Sequence, residues 1–468
     1  MAGLYSHTTR ATGTTLTASI YNTDHQNHVD NQTPQMTDDY SSNVAQMQST
    51  VNPGGVGTES LATTLAGEVE RLRYVIKTMH GGAQWYPGAA FVSGTSFDAK
   101  GDLLAGTAAD AFAALTVGEN NAALLAASDE TSGLRWGVIT PRNYVINGTF
   151  AVNQIVTPTT TDNSYPIDGW KLLLGAVNAA TFEQDTADVP TGAGYAAKLI
   201  VGSGNNNKFG LFCPIENKDM LSLRGSTCAL RVALKATAGL VDGTGKIRIG
   251  ILEFTGSADA ISGDPISAWG AEGTNPTLAA NWAFANTPAA IAVTTAWVNY
   301  SVTAVTISAS ATNVAVLIWS DDTTNTQTTD ILRIGGFVTL SRGSAHPVAH
   351  MAPFEEELRR CQRYFYKTFP QATAPAQNAG LDGALYIART ANNAVIAASY
   401  CVTMRAAPTI TYFNPSNTNA LARNISTPGD AASTASLGTP NDASVSIAIG
   451  GGSSGDNFAI HFTADARL

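Results

Sequence analysis

Several groupings of acids and imidazoles are dense enough to suggest a reaction or a metal site. One is "FEEELRRCQRYFYKTF", Phe354 to Phe369, which gathers seven charged residues in a chain that is only 13% charged. Neighbouring carboxylates such as Glu355, Glu356 and Glu357 splay around a helix and do not converge on one substrate, so they make a poor acid/base pair. A helix start explains them better. Phe354, Leu358, Cys361 and Phe365 recur at steps of four, three and four. Glu355 with Arg359 and Glu356 with Arg360 are i,i+4 pairs in the favourable order, and Pro353 suits a first turn. The charges are therefore expected on the solvent side of a short helix that opens a β-domain.

The remaining groupings are sparser. "DHQNHVD" holds His25 and His28 near Asp24 and Asp30, but no further ligands stand at metal-site spacing. His346 and His350 are separated by Pro347, which disfavours a regular helix presenting both. Asp321 and Asp322 are adjacent, with nothing to hold them across one glycosidic bond as a hydrolase requires. No His-Glu-x-x-His zinc motif occurs, and Cys213, Cys228, Cys361 and Cys401 are scattered as free thiols would be. No metal, cofactor or catalytic residue is assigned, and the chain is expected not to be an enzyme.

The elements that must carry any site are mostly strands. Gly, Ala, Thr, Ser and Asn replace the missing charges and suit turns and the solvent faces of sheets. The net charge of −10 argues against nucleic acid, whose phosphates need a basic partner. No apolar run approaches the roughly 20 residues of a membrane span, and the N-terminus lacks a basic-then-apolar signal pattern. The expectation is a chain made in a cytoplasm, without membrane insertion.

Composition divides the sequence into stretches. Residues 1–58 are polar and expected to order only when docked. In 59–82, Ala62, Leu65, Val69, Leu72, Ile76 and Met79 alternate by three and four, the seam of a short coiled coil, with Glu68 and Arg73 placed to bridge parallel chains. Residues 83–138 alternate short apolar pieces with turn residues, none long enough for a core, and read as a β-rich shaft closed by neighbouring chains. Residues 139–342 read as one large β-sandwich or jelly roll, 343–354 as a linker, and 355–468 as a C-terminal β-sandwich.

The stretch "KGDLLAGTAADAFAALTVGENNAALLAASDETSGLRWG" resembles the shaft of tail fibre proteins of tailed bacteriophages. "FEEELRRCQRYFYKTF" followed by "VTMRAAPTITYF" resembles their C-terminal β-domain. "NGTF", "GWKL" and "IENKDMLSLRGSTCALRVALKA" resemble galactose-binding-like jelly rolls, the fold of many carbohydrate-binding modules. The resemblance implies a homotrimer displayed on the virion, joined to a tail, baseplate or capsid protein through residues 1–58, and binding host surface polysaccharide without cleaving it. It also implies room for a structural calcium ion, with no ligands assigned. The alternatives are a tailspike depolymerase, although no β-helix repeat is visible, and a head fibre or decoration protein.

Sugar binding needs an aromatic face beside amides or carboxylates. Candidates on expected loops and strand ends are Trp282, Trp170, Tyr195, Asn207, Trp319 and Asp321. Trp282, in the irregular "AANWAFANTP", is the foremost expected platform; for Trp170 and Trp319 a place in the core is the competing expectation.

Overall fold

The computed structural model describes residues 97, 99–109, 111–118, 122–127, 130–137, 142–202, 206–240, 246–261, 263–321, 330–343, 352–390 and 394–468. The anchor, the coiled-coil seam from Leu65 to Met79, both histidine pairs, Asp322 and most of the linker lie outside them. The described residues are mainly β and divide into two compact units, one holding most of the chain up to Trp136 and the other chiefly Gly137 to Leu468.

In the first unit, β1 (Leu103–Ala108) pairs antiparallel with β2 (Ala111–Leu115), and β3 (Ala123–Ala126) pairs with β4 (Leu134–Gly137). Two strands enclose almost nothing. Ala105 and Ala127 are buried, whereas Phe97, Leu103, Val117 and Leu124 stay exposed.

The second unit opens with β5 (Ser164–Ile167), β6 (Trp170–Leu174), β7 (Ala180–Asp185), β8 (Ala196–Val201) and β9 (Phe209–Ile215). A short helix, α1 (Asn217–Met220), leads to β10 (Thr227–Ala236) and β11 (Ile247–Phe254). An excursion carries β12 (Ile266–Ala268), β13 (Thr277–Leu278) and β14 (Trp282–Phe284), before β15 (Val298–Thr306), β16 (Asn313–Ser320) and β17 (Ile331–Arg342). These strands form a five-stranded sheet, β15-β10-β17-β8-β7, and a six-stranded sheet, β14-β11-β16-β9-β6-β5. Alternation along each strand sends one set of side chains into a shared core, including Leu172, Leu211, Leu230, Ile249, Val316 and Leu340.

Both faces of the six-stranded sheet are covered. Leu173, Phe212, Leu252, Leu317 and Trp319 point the other way and are roofed by Trp269, Leu278, Trp282 and Phe284 of the excursion. Every residue of β16 is consequently buried.

The "NGTF" turn sits where the chain enters this sandwich. Asn147 adopts φ 51°, and its side chain bonds Val152 N and O and the Asp168 carbonyl. A Cβ on Gly148 would stand 2.2 Å from the Val338 carbonyl oxygen. Gly148→Ala should therefore cost about 2 kcal/mol or more, read as a thermal midpoint lowered by several degrees.

Helix α2 (Phe354–Gln362) opens the C-terminal sandwich, as expected. It leads to β18 (Phe365–Lys367), β19 (Leu385–Ala388), β20 (Ala394–Ser399) and β21 (Thr409–Phe413). The short β22 (Arg423–Asn424), β23 (Gly429–Asp430) and β24 (Ser433–Ser436) precede β25 (Ser444–Gly450) and β26 (Asn457–Asp465). Strand β26 is the hub, pairing with β18, β19, β21 and β22, while β20-β25-β24 form a second sheet.

The charges of α2 do not all face water. Glu355, Glu356 and Arg359 are exposed, but Glu357 is buried, accepting from Asn147 N and Arg360 Nη1, and Arg360 also donates to the Asn143 and Val145 carbonyls. Phe354, expected on the apolar face, is itself exposed. The reason is a joint between the two sandwiches. Leu358, Cys361, Tyr364 and Leu468 pack with Ile146, Val152, Phe254 and Ile261.

Candidate functional site

The expected sugar platforms are mostly interior. Trp170 is fully buried, with its ring 5.2 Å from Phe150 and its Nε1 donating to the Asn147 carbonyl. Trp319 is fully buried under Phe284, ring centroids 5.9 Å apart. Neither ring presents a face to solvent, because each lies on a strand covered on the side it points to. Trp282 is half-buried, its ring 5.0 Å from Phe254 and 5.5 Å from Phe212, so it serves as roof and not as platform. Asp321 is buried between Lys208 Nζ at 2.5 Å and Arg248 Nε at 2.6 Å. Asn207 is half-buried beside Lys208. Tyr195 is exposed at the start of β8.

The outer face of the five-stranded sheet is partly covered, with Trp297, Glu183, Lys198, Lys235 and Arg333 all half-buried. Strand register sets Glu183, Lys198, Arg333 and Lys235 in one row across β7, β8, β17 and β10. Small residues, Ala196, Gly335 and Ala233, follow Asp185 in a neighbouring row. Trp297 lies over that floor, since a Cβ on Gly335 would stand 2.7 Å from its ring and 2.4 Å from Pro190. Asp188 pins the indole, accepting from Trp297 Nε1 at 3.0 Å while pairing with Lys235 at 2.8 Å and Arg333 at 3.3 Å. Asp185 takes Arg333 Nε at 2.8 Å, and Glu183 takes Lys198 at 2.9 Å.

Burial alone would raise the Asp185 and Asp188 carboxyls, but hydrogen bonds from Arg333 to the first and from Lys235 and Trp297 to the second outweigh it and hold both below the usual range. Both therefore stay ionised at neutral pH and are unsuited to giving up a proton as a general acid. The face offers an oriented indole beside fixed donors and acceptors, which is what a sugar ring with its hydroxyls requires. Depressed carboxyls stabilise the fold above their unfolded pKa, near 4, and that contribution is lost as pH falls through the lower folded values. Denaturation midpoints should thus be level near neutrality and fall below about pH 4, with Asp188→Asn flattening the acid limb.

Sequence reasoning missed this cluster. In the sequence Trp297 simply heads the strand-like run "WVNYSVTAVTI", and nothing local to Asp188 or Arg333 announces that they meet. The letters Gly-x-Ser-x-Gly do occur, at Gly451–Gly455, but they join β25 to β26 with no helix after them, and Ser453 N donates to Asp456. That is a loop between strands of two different sheets, not a nucleophile elbow. Among the described residues, no group of three His, Cys, Asp or Glu is placed to hold a metal.

No family model matches the chain, and no curated protein matches it. Solved structures similar to part of it include the carbohydrate-binding module TmCBM61 in complex with beta-1,4-galactotriose, at 12% identity and a TM-score of 0.24, covering 43% of this chain and 99% of that one. A CBM4 structure matches at 15% identity and 0.24, covering 42% and 99%. The enzymatically active domain of bacteriophage CBA120 tailspike protein 4 matches at 10% and 0.26, covering 43% of this chain and 21% of that one.

Proposed function

We propose that this chain is a virion fibre protein, a homotrimer that attaches a bacteriophage to a host cell-surface glycan by multivalent, non-catalytic binding. The observation that carries the reading is the pair of two-stranded sheets between Leu103 and Gly137. Phe97 is 44% exposed, Leu103 38%, Val117 48% and Leu124 40%. Isolated two-stranded sheets are marginal in water, so these apolar groups call for equivalent segments of neighbouring chains, as a trimeric shaft supplies. Residues 1–58 anchor the fibre to the particle in this reading, and the protein is made in the host cytoplasm and displayed on the virion. Three copies of a weak sugar site gain strongly in avidity when they act together.

Glycan contact is assigned to the Trp297 face. Trp297→Ala should weaken binding of the full-length protein to purified host polysaccharide at least about tenfold, with no reducing ends released before or after the change. Retained binding would move the site elsewhere. The depolymerase alternative draws on Asp264, whose carboxyl is raised by burial and by nearby Asp162, against Lys171 which lowers it. Reducing-end release that Asp264→Asn abolishes would favour that alternative.

A further inference from the structure

A cleft of about 620 Å³ opens between the C-terminal sheet and the jelly roll. Its floor follows from strand register. Phe365, Asp465 and Thr409 form one row across β18, β26 and β21, and Lys367, Thr463 and Thr411 form the next. The intervening residues Tyr366, Ile410, Tyr412, Phe462 and Ala464 turn into the C-terminal core, which leaves this face for the cleft. Tyr165 and Thr157 of the jelly roll supply the opposing wall, and Phe413 the far end.

Arg467 is fixed at the centre. Its guanidinium stands 4.6 Å from the Tyr165 ring centroid and 4.7 Å from that of Phe365. It forks onto Asp465, Nε to Oδ1 at 2.9 Å and Nη2 to Oδ2 at 2.5 Å. The Tyr165 hydroxyl is spent on the Leu468 carbonyl oxygen. Thr409 and Thr411 are exposed, and their hydroxyls have no hydrogen-bond partner among the described residues.

We infer that this cleft binds a neutral saccharide, with Thr409, Thr411 and the Asp465–Arg467 fork taking its hydroxyls and Phe413 packing against its C–H surface. The volume suits a ligand of one or two sugar rings. Bidentate pairing leaves Arg467 and Asp465 with no net charge to offer, so an anionic sugar would have to break the fork to be held. An aromatic wall with unspent hydroxyls matches a polyol that is apolar on one side and polar at its rim. The inference takes its ligand class from the glycan-binding reading and adds a site remote in sequence from Trp297, built by two sandwiches together.

The test uses the full-length protein with methyl β-galactopyranoside and methyl β-glucopyranoside as neutral probes and glucuronate as the anionic one, followed by saturation-transfer NMR and titration. At least one neutral glycoside should bind, and Thr411→Trp, which fills the cleft from an exposed position, should weaken it at least about tenfold with an unchanged melting profile. Phe413→Ala is the second variant and should weaken the same probe. Neutral binding that ignores both changes but is lost in Trp297→Ala would overturn the cleft while leaving the glycan reading intact. Binding of glucuronate alone, weakened by salt, would overturn the neutral class. Failure of both neutral glycosides to bind at millimolar concentration would overturn the inference outright.

Discussion

Asp321→Ala is expected to cost about 4 kcal/mol of folding stability, the largest single effect argued for this chain. Asp321 is 2% exposed and Lys208 1% exposed, and the Arg248 side chain is 9% exposed. Lys208 Nζ also donates to the Ala271 and Thr274 carbonyls, at 2.8 and 2.7 Å. Arg248 reaches Asn275 Oδ1 and the Pro288 carbonyl, both at 3.0 Å, and the Gly273 carbonyl at 2.7 Å. One carboxylate thus balances two cations that together tie the roof of the six-stranded sheet to its strands. Removing it strands two buried positive charges, and carbonyl dipoles alone do not replace the lost ion pairing. Urea unfolding should show the midpoint falling steeply, or the variant should be recovered only as aggregate. Asp321→Asn should sit closer to Ala than to wild type, because the amide keeps the shape and loses the charge. A loss under about 1 kcal/mol for Ala would mean the triad is no stronger than a surface pair.

Glu216→Ala is expected to cost about 3 kcal/mol and to loosen the joint between the two sandwiches. Its carboxylate is 1% exposed and accepts from Arg363 Nε at 2.9 Å, Arg363 Nη2 at 2.7 Å and the Tyr364 hydroxyl at 3.0 Å. That hydrogen-bonded pairing raises Arg363 above its ordinary value. The joint continues through Lys367, whose Nζ donates to the carbonyls of Gln154, Gln371 and Thr373. Burial lowers that amine to about 8 even though Asp168 opposes the shift. Hydrogen exchange should rise at β18 and around Ile146 in Glu216→Ala before it rises in the far sheet of either sandwich. Exchange that rises uniformly would indicate global destabilisation without a separable joint. The same contacts predict that the jelly roll made without its C-terminal partner exposes Ile146, Val152, Phe254 and Ile261 and associates nonspecifically.

Much of this architecture is legible in the amino-acid sequence. Strands β8, β10, β11, β15, β16 and β17 each correspond to an apolar or alternating run, and the register of Leu358 and Cys361 on α2 follows from spacing alone. Period-two alternation, however, says which residues share a face and not what covers it. Trp319 and Trp170 therefore read as candidate platforms although the excursion covers the first and the core the second. Trp282 reads as exposed because "AANWAFANTP" looks irregular, yet the segment is β14 and its neighbourhood folds back over the sheet. Glu216 carries no local mark at all, since its partners stand about 150 residues onward in sequence. The Trp297 face and the Tyr165–Arg467 cleft are hidden for the same reason. Each is assembled by register between strands far apart in the chain, and single-segment patterns do not encode that pairing.

The central claim is that three copies of this chain act as one multivalent binding fibre. Sedimentation equilibrium of the purified full-length protein tests it most directly. A single species at three times the chain mass, persisting at submicromolar concentration, is the predicted result. A clean monomer at micromolar concentration would contradict the claim, because Phe97, Leu103, Val117 and Leu124 would then face water with no neighbouring chain to cover them.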